Sequence, residues 1–173
     1  MKSMKRAAQA GFTLIELIVV IVILGILAAT ALPKFVGFGG DARIASLNAA
    51  RGALMTTASM VKGRFIVEGG RNGTTSVEGN VVTFVAGNGY PQPDLPFAIA
   101  AGVGSPAGTV GDYTYVAPGS AATANTPLTS ATQIAIIPTG VATSPAGLTC
   151  HVLYTQAATA TAAPTAAVVS GGC

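Results

Sequence analysis

An α+β fold is predicted: a long N-terminal helix whose second half packs on a small antiparallel sheet head, closed near its C-terminal end by a disulfide loop. Three observations predict it. Residues 12–32 are an apolar run of 21 carrying one charged side chain, Glu16. Residues 44–65 place apolar side chains at helical spacing. From residue 69 onward, short β-prone segments alternate with Gly, Pro, Ser and Thr clusters, and both cysteines, Cys150 and Cys173, fall there. The chain is accordingly divided into a leader at 1–11, a membrane-length helix at 12–32, an amphipathic stalk helix at 33–68 and a globular head at 69–173.

Composition narrows the function classes. Of 173 residues, 9% are charged and 50% apolar, whereas a soluble domain carries about a quarter charged residues. A soluble enzyme throughout is disfavoured, and the part beyond the apolar run suffices for one modest domain. The charges are also segregated. Lys2, Lys5 and Arg6 stand in the leader without an acid; Lys34, Arg43, Arg51, Lys62, Arg64 and Arg71 face Glu16, Asp41 and Glu68 between residues 12 and 71; Glu78, Asp94 and Asp112 meet no Lys or Arg thereafter. A basic stalk therefore carries a weakly acidic head. Nucleic-acid binding requires a dense basic patch, which the head lacks.

Basic residues followed by an apolar stretch mark an export signal, since the positive end stays cytoplasmic while the apolar part enters the bilayer. A run of 21 residues is about 31 Å long as a helix, enough to span the hydrocarbon core. It exceeds the h-region of a cleavable signal. Ala29 and Ala31 offer a conventional cleavage site as the competing reading. Glu16 lies inside the run, and an acid at membrane depth needs a cationic partner or a place at the hydrated interface. Both readings of Glu16 stand. A cut just before Phe12 would supply the cation as a new α-amine.

Gly11-Phe12-Thr13-Leu14-Ile15-Glu16, continuing through Gly25 to Ala31-Leu32-Pro33, resembles the class III signal of type IV pilins and pseudopilins. With Lys34-Phe35-Val36 and Asp41-Ala42-Arg43, the chain is most similar to pilins of the mannose-sensitive haemagglutinin type. The resemblance implies cleavage by a prepilin peptidase between Gly11 and Phe12 and N-methylation of Phe12. It implies that Glu16 neutralises the N-terminal amine of a neighbouring subunit, that the helix from Phe12 packs in a filament core, and that the segment between Gly25 and Pro33 can lose helix there. The implied partners are further copies of the chain, the peptidase, the pilus assembly machinery and the inner membrane before assembly; the implied destination is an extracellular pilus. A glycine at position 11 suits a protease that must thread the backbone closely.

Beyond the run, Ile44, Leu47, Leu54, Ala58, Val61 and Phe65 form one stripe, with Arg51 in the remaining slot. Pro33 removes a backbone donor, and Gly25, Gly37, Gly39 and Gly40 weaken helix, so a kink or melted segment is expected there. In the head, 81–86, 112–117, 133–138, 150–155 and 166–169 read as strands and 95–101 as a short helix, giving a sheet of about four strands over the stalk stripe. Residues 118–132 and 156–165, rich in Ala, Thr, Ser and Pro, read as surface loops with O-glycosylation as an open alternative. Asn72-Gly73-Thr74 matches a glycosylation pattern but reads better as a turn.

Two cysteines in an exported chain imply one disulfide, Cys150 to Cys173, closing a loop of about 24 residues and contributing roughly 3 kcal/mol. Two cysteines beside His151 fall short of the four ligands of a structural zinc site, so neither a metal nor a cofactor is called for. Catalysis is not called for either: the head shows no conjunction of nucleophile, base and orienting acid. The leading function is a major structural subunit of a type IV pilus, for adhesion, attachment or motility. A minor pilin or type II secretion pseudopilin is the alternative, and a monomeric membrane-anchored adhesin the second. Arg43, Arg51, Lys62 and Arg64 are expected either to face Glu78, Asp94 or Asp112 of another copy, or only to keep the monomer solvated.

Overall fold

The structure is a computed structural model and describes residues 12–35, 37–70, 73–85, 87–106, 111–159 and 161–173. It divides into two compact units, one ending at Gly39 and the other Gly40–Cys173. The first is helix α1 (Leu14–Phe35). Its stretch Leu14–Leu32 has a mean hydropathy of 2.8 with none of it buried within the chain, long and apolar enough to cross a membrane. Leu17, Leu24 and Leu27 are all more than half exposed.

α1 runs on through Gly25 and Pro33 and ends at Phe35, two residues past the proline; Gly37 is a turn and α2 (Phe38–Val67) follows. The interruption thus falls at the C-terminal end of the stretch, Gly25 to Gly40, where a kink or melted segment was expected, and not at Gly25 or Pro33. A proline removes a single donor, to the carbonyl four residues back. Thr30 Oγ1 donates to the Leu27 carbonyl at 2.9 Å just upstream. Gly37, Gly39 and Gly40 lie together, and that cluster coincides with the stop.

The second unit is built on α2. Leu47, Ala50, Leu54, Thr57, Ala58 and Val61 are its buried face, the expected stripe plus Ala50 and Thr57, while Ile44 and Phe65 are half-buried. The head contributes a hairpin, β1 (Thr74–Val77) and β2 (Asn80–Thr83), the short helix α3 (Leu95–Ala100), and strands β3 (Tyr113–Val116), β4 (Gln133–Pro138), β5 (His151–Thr155) and β6 (Thr165–Val169). The last four pair antiparallel in the order β3-β4-β5-β6. β4 is buried from Ile134 to Pro138, so its Ile-rich run has the character of a central strand covered on both faces.

The α+β expectation holds, including a sheet of four strands. β1 was not anticipated, and the strand expected over 81–86 shortens to β2 and an isolated bridge, Phe84 to Pro91. The hairpin turn is Glu78-Gly79, with φ of 49° and 77°. Positive φ at both central residues is the two-residue turn that matches strand twist; glutamate there is rarer than Asn or Asp, which hides the hairpin in the sequence. Gly89, at φ of 70°, has a second reason besides: a Cβ on it would collide with the Phe65 ring. That ring also packs edge-on against Phe84, with centroids 5.0 Å apart.

The core joins Leu47, Leu54 and Val61 of α2 to Phe97 of α3, Ile134 and Ile136 of β4, and Val152 and Tyr154 of β5. Each such side chain contributes about 1.5 to 3 kcal/mol on burial. The loop 118–132 is ordered by Thr129, which is 2% exposed. Its Oγ1 donates to the Ala117 carbonyl at 2.6 Å and accepts from the Ser120 N–H at 3.0 Å.

Candidate functional site

At the start of α1, Glu16 and Thr13 form a reciprocal pair. The Thr13 N–H donates to Glu16 Oε2 at 2.9 Å, the Thr13 hydroxyl to the same oxygen at 3.1 Å, and the Glu16 N–H to Thr13 Oγ1 at 3.3 Å. The Thr13 carbonyl accepts the first helical bond, from the Leu17 N–H at 3.3 Å. Thr-x-x-Glu in this geometry is a capping box: each side chain satisfies a backbone donor that the helix end leaves open. The spacing was legible in the sequence and was overlooked because the acid was read only for its charge. Among the described residues, Glu16 is therefore tied to a neutral partner.

Phe12 is 94% exposed. Gly11, the other half of the expected cleavage site, lies outside the described residues, as do Asn72 of the glycosylation pattern and Arg71. Gly25 sits on α1 with open space around its Cα, and the backbone of Pro33 is within the same helix.

In the second unit, the bases of α2 bind carbonyls of the head. Arg43 Nη1 donates to the Cys173 carbonyl at 2.8 Å, Arg51 Nε to the Ala166 carbonyl at 2.7 Å, and Lys62 Nζ to the Asn88 carbonyl. Lys62 also lies over the Phe65 and Tyr90 rings, 5.3 and 5.4 Å from their centroids. Ser46 Oγ and Tyr113 Oη are 2.5 Å apart, and the tyrosine hydroxyl donates to the Ser46 carbonyl at 3.0 Å. Three of the four bases expected to face acids of another copy thus bond to main-chain oxygens of their own head, one of them in β6; Arg64 is exposed. Of the acids, Asp94 caps α3, its Oδ1 accepting from the Phe97 N–H at 2.9 Å. Glu78 and Asp112 are exposed. Asn88, 1% exposed, was missed as a structural residue: it donates to the Thr159 carbonyl at 3.3 Å and accepts from the Tyr90 N–H at 2.9 Å.

Cys150 and Cys173 form the expected disulfide, with Cα atoms 4.9 Å apart. Beside it, His151 is 5% exposed, its Nδ1 has no hydrogen-bond partner, and burial holds its pKa below the usual value against a hydrogen bond to the Gly147 backbone. Tyr154 is fully buried, with its ring 4.9 Å from that of Phe97, and its hydroxyl has no hydrogen-bond partner among the described residues. Burial, reinforced by the nearby Asp94 carboxylate, pushes Tyr115 up to about 12, and burial also raises Tyr154. Such groups are poor acids and bases near neutrality. Among the described residues, no three of His, Cys, Asp and Glu are grouped so as to hold a metal ion.

A comparison with known families finds a match at the N-terminal end. The family model of the prokaryotic N-terminal methylation motif matches residues 6–32. That motif is the class III signal of type IV pilin-like and pseudopilin substrates of prepilin peptidase, which are structural proteins. No solved structure matches the chain.

Proposed function

We propose that the chain is the major structural subunit of a type IV pilus, of the mannose-sensitive haemagglutinin type. The methylation motif over residues 6–32 carries the reading. Prepilin peptidase cuts between Gly11 and Phe12 and the new amine is methylated, leaving α1 as inner-membrane anchor and then as filament core. In that core the Glu16 carboxylate, bonded within its own chain to a neutral threonine, pairs with the Phe12 amine of a neighbouring copy. Opposite charges on parallel helices attract strongly where the dielectric is low, and an unpaired acid there is costly. The segment from Gly25 to Pro33 is the part of the packed helix that yields.

The disulfide-closed head supports a pilin over a secretion pseudopilin, which usually lacks that loop. Electron microscopy of material sheared from cells tests the reading: filaments carrying this subunit are expected, and their loss when the peptidase gene is deleted. Retention of the chain in the inner membrane with no filament would favour the monomeric adhesin instead.

A further inference from the structure

The disulfide and the first turns of α2 belong to one connected set of contacts. Cys173 is fixed on one side by its bond to the fully buried Cys150. The Gly172 N–H adds a hydrogen bond to the Thr149 carbonyl at 3.0 Å. On the other side, the Cys173 carbonyl accepts from Arg43 Nη1 at 2.8 Å, across 130 residues of chain. The Cys173 main chain also lies 3.5 Å from the place a Cβ on Gly40 would take. α2 itself opens Phe38-Gly39-Gly40-Asp41. Two glycines in a first turn, whose N–H groups lack helical partners, give that turn little intrinsic stability. Its order has to come from contacts, and Arg43 makes the one that reaches furthest along the chain.

We propose that the Cys150–Cys173 bond acts at a distance as a clamp on the start of α2: the disulfide fixes Cys173, Cys173 fixes Arg43, and Arg43 keeps residues 40–47 helical. The consequence is local. With the bond formed, α2 is helical from Phe38 onward; without it, its first turns through residue 47 unwind while β4 and β5 remain paired. The inference holds for a pilin and for a pseudopilin alike, because it uses contacts within one chain.

Amide hydrogen exchange on the full-length chain in detergent micelles tests it, comparing residues 40–47 with β4. Arg43→Gln, with the disulfide intact, is expected to speed exchange at 40–47 by about tenfold or more while β4 stays protected. Arg43→Lys, which keeps the charge but loses the guanidinium fork, is expected to fall between the two. A Cys150→Ser, Cys173→Ser variant is expected to speed the same residues, and adding Arg43→Gln to it to speed them little further, since both changes break one linkage. Unchanged protection at 40–47 in Arg43→Gln, or effects that simply add, would overturn the clamp. Should the cysteine variant lose β4 protection as well, Arg43→Gln alone decides, by the same readout.

Discussion

α1 and the Gly40–Cys173 unit solve opposite problems. The Leu14–Leu32 stretch of α1 buries none of its apolar side chains within the chain, so its stability and its packing are supplied by lipid or by other helices. The second unit buries Leu47, Leu54, Phe97, Ile134, Ile136 and Tyr154 completely and draws its stability from itself. A change in α1 should therefore appear in assembly and leave the melting of the head untouched. A change in the head core should appear in melting first.

The largest effect that would break this contrast is at Glu16. Glu16→Gln keeps an oxygen to accept the Thr13 N–H, and so keeps the capping box, but removes the charge. Piliation is expected to be lost or severely reduced with head melting unchanged; normal filaments would show that the carboxylate contributes only its cap. Next comes a matched pair of truncations. Leu54→Ala is expected to destabilise the head by about 2 to 5 kcal/mol, whereas Leu24→Ala, in α1, leaves its denaturation midpoint where it was. A Cys150→Ser, Cys173→Ser variant is expected to cost the head up to roughly 3 kcal/mol, read as a lower melting temperature under non-reducing conditions.

The smallest effect is a pH dependence confined to the head. His151 titrates below its ordinary 6.5 because it is buried, so the unfolded chain binds more protons than the folded one as pH falls through that value. Its contribution is complete above about 6.5 and is lost below it. Asp94, raised above 3.8 by burial, works the other way, its contribution being lost as pH rises through its folded value. Melting temperature is expected to fall modestly from about pH 7.5 to about pH 5, and to fall less in His151→Gln.

What was legible in the sequence follows the same division. α1 was readable because its requirements are simple: an apolar length, basic residues before it and an acid at a fixed spacing. In the head, β4 was readable at both ends because 134–137 is a continuous apolar run bounded by Gln133 and Pro138, and the disulfide because only two cysteines were present. β1 was not, since Thr74–Val77 is short and its turn, Glu78-Gly79, is an uncommon choice. The charges of α2 were misjudged for a physical reason. Arg43, Arg51 and Lys62 have chains long enough to reach backbone carbonyls, and carbonyls leave no mark in the sequence. Ala50 and Thr57 complete the buried face of α2, and an apolar count undervalues both.

The central claim is that the chain is processed between Gly11 and Phe12 and keeps α1. The mass of the intact subunit, recovered from membranes or sheared filaments and combined with N-terminal sequencing, tests it most directly. The account predicts a chain that begins at Phe12, carries one added methyl group on its α-amine and retains the Cys150–Cys173 bond. A subunit beginning between Thr30 and Pro33 would mean that α1 had been removed as an ordinary signal peptide, and would contradict it.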